Sequence, residues 1–123
     1  MEKNKNQLIT RYKRFTIDVV RFCNTLPKET AFFVFAKQVI RCSSSMGANY
    51  RAACRAKSTA DFINKLKIVE EESDESVYFL ELIEELLTTD KTECQRLVKE
   101  GDELLRIVVA SLKTARFNNS QNN

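Results

Sequence analysis

The segment Arg41-Cys42-Ser43-Ser44-Ser45-Met46-Gly47-Ala48-Asn49-Tyr50-Arg51-Ala52-Ala53-Cys54-Arg55-Ala56-Lys57-Ser58 has the composition of a helix with a small, polar inward face and strongly basic last turns. Ser45, Gly47 and Ala48 are small enough for another helix to approach closely. Arg51 and Arg55, four residues apart, share one face. Outward from this segment, apolar residues recur at helical spacing in both directions. The chain has 123 residues with only two glycines and one proline, so turn punctuation is rare and a few long helices are expected.

Four amphipathic segments can be read. The first spans about residues 6–25, with Leu8, Tyr12, Phe15, Val19, Phe22 and Leu26 at alternating steps of four and three. Leu26-Pro27 breaks it, because proline disfavours the helical conformation in the residue before it. The second, about 28–56, puts Phe32, Phe35, Val39, Cys42, Met46, Asn49 and Ala53 on one line. Ser58 is a fitting N-cap for the third, with Asp61 three residues on. Its seam is Phe62, Leu66, Val69, Ser73, Val77, Leu80, Ile83 and Leu87. Asp90 or Thr92 caps the fourth, whose seam is Cys94, Leu97, Gly101, Leu104, Val108, Leu112 and Ala115. Short connections between helices of similar length predict a single-domain, all-α, antiparallel up-down-up-down four-helix bundle over 1–123, with disordered ends at about 1–5 and 118–123.

Phe32-Phe33-Val34-Phe35 and Val77-Tyr78-Phe79-Leu80 are apolar on every side of their helices. One small core cannot absorb all those directions. Phe32, Phe33, Phe35, Tyr78 and Phe79 are therefore the candidate contacts with further copies of the chain. Arg41, Ser45, Asn49 and Ser73 are candidates for a buried polar layer that fixes register, with Arg41 alternatively at a subunit boundary beside acidic residues of the third helix.

Several functional classes are disfavoured by what the chain contains. Histidine is absent, and the four cysteines form no Cys-x-x-Cys pair, so reduced, buried thiols are expected and no metal or other cofactor. The acidic run Glu70-Glu71-Glu72-Ser73-Asp74-Glu75 lacks the Glu-x-x-His partners of a di-iron bundle. Ser43, Ser44 and Ser45 have neither an activating histidine nor a glycine-rich elbow. No enzyme and no small-molecule substrate are expected. The apolar runs are too short to span a bilayer and no signal peptide is evident, so a cytoplasmic protein without a membrane partner is expected.

Charge is unevenly spread. The net charge is +3, but residues 1–58 hold 12 lysines and arginines against three acids, a net +9, and residues 59–123 hold eight against 14, a net −6. Arg51, Arg55, Lys57, Lys65 and Lys67 gather around the second turn. They read either as a phosphate-contacting edge, with Tyr50 available to stack on a base, or as a solvated end pairing with acidic helices of neighbouring subunits.

At these residues the chain resembles the four-helix-bundle family first noticed as open reading frames in intervening sequences of bacterial 23S ribosomal RNA genes. The resemblance covers nearly the whole chain: Leu26-Pro27 and Glu29, Gln38 and Arg41, and most strongly Ser45 to Ser58. It continues through Phe62, Lys65, Leu66, Ile68-Val69-Glu70-Glu71-Glu72, Asp74-Glu75 and Leu80-Glu81-Leu82. Gly47-Ala48-Asn49-Tyr50-Arg51 matches the branch with Ala-Asn-Tyr-Arg in the second helix. The resemblance implies a homo-oligomeric ring, a pentamer. It is also similar to the accessory variability determinant of diversity-generating retroelements, a basic ring that binds nucleic acid with a reverse transcriptase. The expected function is non-enzymatic binding of RNA or a nucleoprotein through the basic edge; the alternative is a protein–protein interaction scaffold with no nucleic-acid role.

Overall fold

The computed structural model describes residues 2–121, with side chains from Asn4 onward. It contains four α-helices and, among the described residues, no strand: α1 (Glu2–Cys23), α2 (Thr30–Cys54), α3 (Thr59–Leu86) and α4 (Thr92–Gln121). The polar ends extend the outer helices beyond the boundaries expected from sequence, and Met1, Asn122 and Asn123 lie outside the described residues.

Each break has a local cause. Pro27 forces the chain out of α1, and the Glu29 N–H donates to Pro27 O at 2.9 Å before α2 starts. Ser58 caps α3, its Oγ accepting from Asp61 N at 3.1 Å, and Asp61 Oδ2 accepts in return from Lys57 N at 3.4 Å. Ahead of α4, Asp90 Oδ1 accepts from the backbone N–H of Thr92 at 3.0 Å and from its hydroxyl at 2.7 Å.

The helices surround one core in the cyclic order α1, α2, α3, α4. Contact is most extensive between α2 and α3, then α3 and α4; among the described residues the diagonal pairs make no close backbone approach. Tyr12, Phe15, Val19, Val39, Met46, Leu66, Leu80, Ile83, Leu97, Leu104 and Leu112 are fully buried along the expected seams. Two glycines permit close approach. A Cβ at Gly47 would stand 3.3 Å from Tyr12 Cβ, and one at Gly101 would stand 3.1 Å from Val77 Cγ2 and 3.2 Å from Phe15 Cζ.

Four expectations change. Tyr50, not Asn49, continues the buried stripe of α2. It is 9% exposed and its ring centre lies 5.0 Å from that of Tyr12. Phe32 belongs to the core, because it shares the inward face with Val39 and Met46. Arg41 is exposed and reaches across the surface to Glu72 (3.3 Å) and Glu75 (3.5 Å) of α3. The expected polar layer is not a connected one. Ser73 is buried but donates to Val69 O of its own helix at 2.6 Å, and Asn49 donates to Ser45 O and Oγ one turn back. Serine and asparagine satisfied within their own turn need no partner across the core.

Phe33, Val34 and Tyr78 stay outside, with Phe33 66% and Tyr78 56% exposed. Phe35 and Phe79 are half-buried and pack on each other, ring centres 6.1 Å apart. Among the described residues, no helix is long and apolar enough to cross a membrane.

Candidate nucleic-acid interface

Arg51 and Arg55 leave the C-terminal turns of α2, Lys57 sits in the connection, and Lys65 and Lys67 follow on the first turns of α3. Arg51, Arg55, Lys57 and Lys67 are exposed and Lys65 is half-buried. Their placement follows from two local facts. The buried stripe of α2 ends on Tyr50 and Ala53, which turns Arg51 and Arg55 outward, and the Ser58 cap starts α3 immediately after Lys57. Arginines in the last turn also oppose the partial negative charge of the α2 C-terminus.

Tertiary packing adds cations that sequence spacing did not assign to this end. Thr114, Ala115 and Asn118 of α4 line one groove with Phe62 of α3, which sets the last turns of α4 beside the start of α3. Exposed Lys113 and Arg116 therefore join the basic end. Lys13 of α1 lines a groove with Arg51, extending the charge along α1. The signal for Lys113 and Arg116 was present only as two cations near the C-terminus of the chain, more than forty residues from the turn they approach.

Among the described residues these cations are not ion-paired, a state they share with Lys5, Arg14, Arg21, Lys28, Lys37, Lys91 and Lys99; what sets them apart is that they gather at one end. Arg11 pairs with Glu100 and Glu103, Arg41 with Glu72 and Glu75, Arg96 with Asp18 and Glu93, and Arg106 with Asp102. Among the described residues, none of Lys13, Arg51, Arg55, Lys57, Lys65, Lys67, Lys113 and Arg116 has a carboxylate within ion-pair distance. One end of the molecule thus gathers charge that no carboxylate among the described residues pairs with, the arrangement that attracts polyanions.

Tyr50 cannot take part as a stacking platform, since its ring is committed to Tyr12 and burial raises its phenol above the ordinary tyrosine range. The exposed aromatic of this end is Phe117, next to Arg116 and 63% exposed. Three of the four cysteines are held as neutral thiols. Desolvation pushes Cys23 up to about 11 and Cys42 and Cys94 up to about 12, which leaves them protonated at neutral pH. Among the described residues no group of three or more His, Cys, Asp or Glu is arranged to hold a metal ion.

A comparison with curated proteins gives no match. Among solved structures, a protein with unknown function from the S23 ribosomal protein family of Bacteroides thetaiotaomicron superposes with a TM-score of 0.79. It is 31% identical, and the match covers 89% of this chain and 97% of that one. The model of the 23S rRNA-intervening sequence protein family matches residues 4–110. The family match and the structural likeness point the same way, and the chain belongs to the 23S rRNA-intervening sequence protein family.

Proposed function

We propose that this protein is a non-enzymatic, cytoplasmic helical bundle that binds structured RNA through its basic end, as one subunit of a homo-oligomeric ring. The observation that carries the RNA reading is the gathering of exposed Arg51, Arg55, Lys57 and Lys67 around the α2–α3 connection, none with a carboxylate partner among the described residues. The family name, tied to 23S ribosomal RNA, supports a ribonucleic ligand. An up-down-up-down course is supported by paired positions. Thr16 and Tyr12 of α1 meet Ser43 and Gly47 of α2 in turn, and Arg11 and Asp18 meet Glu100 and Arg96. In that course the α1 and α3 N-termini and the α2 and α4 C-termini share the basic end.

The ring, a pentamer by family resemblance, is supported by Phe33, Val34 and Tyr78, apolar side chains that one bundle leaves in solvent. A ring with its subunits alike in orientation repeats the basic end on one face and multiplies a modest patch.

The test is fluorescence anisotropy of a structured RNA across a salt series. Log affinity should fall linearly with log salt, and Arg55→Ala with Lys57→Ala should make the slope shallower by roughly one per lost phosphate contact. Salt-insensitive binding, or none at micromolar protein and low salt, overturns the proposal. The exposed Phe33 and Tyr78 favour a second reading, a protein-binding scaffold. Under that reading the protein purifies free of nucleic acid, with a low 260/280 absorbance ratio.

A further inference from the structure

The cyclic helix order places the α1–α2 groove and the α3–α4 groove on opposite sides of the molecule, and their chemistry is opposite too. The α1–α2 groove, about 250 Å³, has a floor of Ile9, Ile17, Gly47 and Ala48, with Lys13 and Arg51 among its lining residues and no carboxylate. It is open because Gly47 and Ala48 carry too little side chain to fill it, and it leaves Ile17 41% exposed. The α3–α4 groove is flanked by Glu81, Glu84 and Asp102, with Lys99 the cation on its lining and Val77 and Val98 its apolar residues. Tyr78, next in sequence to Val77, projects into solvent.

We propose that the α3–α4 face of one copy of this chain seats in the α1–α2 groove of the next, with Glu81 and Glu84 meeting Lys13 and Arg51 and apolar side chains covering Ile9 and Ile17. Opposite faces of one molecule make this a heterologous contact, which propagates head to tail and gives a ring when the rotation closes. Charge complementarity selects this occupant: the charged residues that line the groove, Lys13 and Arg51, are both cations, and the same chain presents a mainly acidic face with Val77 and Val98 on its far side. The inference rests on the oligomer reading above and adds which surfaces meet. It also divides the basic residues, with Arg51 turned to the subunit contact while Arg55 and Lys57 remain for RNA.

Sedimentation velocity of the purified protein tests it. Lys13→Glu with Arg51→Glu, and separately Glu81→Lys with Glu84→Lys, should each weaken association at least tenfold, and the four changes together should recover most of it. Ala48→Trp, at an exposed position, should plug the groove and block assembly while leaving the far-ultraviolet helical signal of the folded chain unchanged. It therefore decides the matter should a charge reversal disturb folding. A wild-type protein that sediments as a monomer overturns both the oligomer reading and this contact. An oligomer indifferent to both charge reversals and to Ala48→Trp overturns the contact alone, and leaves the oligomer reading standing.

Discussion

Arg11 of α1 and Glu100 of α4 form a two-point ion pair, Nε to Oε2 at 2.7 Å and Nη2 to Oε1 at 2.8 Å, joining residues 89 positions apart. Glu103 adds a third contact at 2.9 Å. The α1–α4 contact is the least extensive of the four, so this polar clasp sits where apolar packing contributes least. Both partners remain partly open to water, which limits the gain. A double-mutant cycle of Arg11→Ala and Glu100→Ala should give a coupling of about 1 kcal/mol at low salt, shrinking as salt rises. Chemical denaturation measures it, and a coupling unchanged at high salt would contradict the assignment.

Gly101 is where α4 admits Phe15 and Val77. Gly101→Ala sets a helix-propensity gain of about 1 kcal/mol against the need for those side chains to give by a few tenths of an ångström. Gly101→Leu has no such balance. It overfills the site and should lower stability by about 1–3 kcal/mol or more in denaturant titrations.

Thiol accessibility provides a separate check. Cys42 and Cys94 are buried, whereas Cys23 and Cys54 are partly exposed. In the native protein an aromatic disulfide reagent should modify Cys54 and Cys23 well before Cys42 and Cys94, with all four reacting in denaturant. Fast native labelling at Cys42 would mean that the α2–α3 seam opens readily.

Stability should decline on both sides of neutrality. Hydrogen bonds from Arg96 hold the Glu93 carboxylate below its ordinary range, and Thr92 does the same for Asp90. A carboxylate with a lowered folded value stabilises the fold above its unfolded value, and that contribution disappears as pH falls through the folded one. The midpoint of thermal unfolding should therefore drop below roughly pH 4, and Arg96→Ala should reduce part of that drop. Desolvated Cys23, Cys42 and Cys94 have raised values, so their contribution is full below the unfolded thiol value of about 8.5 and is lost as pH climbs toward 12. Alkaline melts should show this loss, and replacing Cys42 with Ala should diminish it.

Removing Tyr50 should affect the fold, not the ligand. Tyr50→Ala deletes a ring packed on Tyr12 and should cost about 3–5 kcal/mol, while any loss of RNA affinity should follow the loss of folded protein. Phe117→Ala should leave the melting temperature nearly unchanged, because that ring is mostly in water. Melting curves beside anisotropy titrations separate the two.

Local pattern was enough for the number of helices, their approximate limits and most of the core. Steps of three and four residues specify one buried stripe per helix, and Pro27, Ser58 and Asp90 break or cap the helices through groups within a few residues of themselves. A pattern of that kind leaves the rotation of each helix uncertain by about one residue, which is why Asn49 stood where Tyr50 belongs. It is also blind to residues that meet only across the fold. Packing alone brought Lys113 and Arg116 to the end that holds Arg55 and Lys57 and put a cationic groove opposite an acidic one, whereas Arg41 beside the acids of α3 was one of two placements the sequence offered. Those relationships depend on the order and rotation of whole helices, which core packing sets across the entire molecule and no single segment encodes.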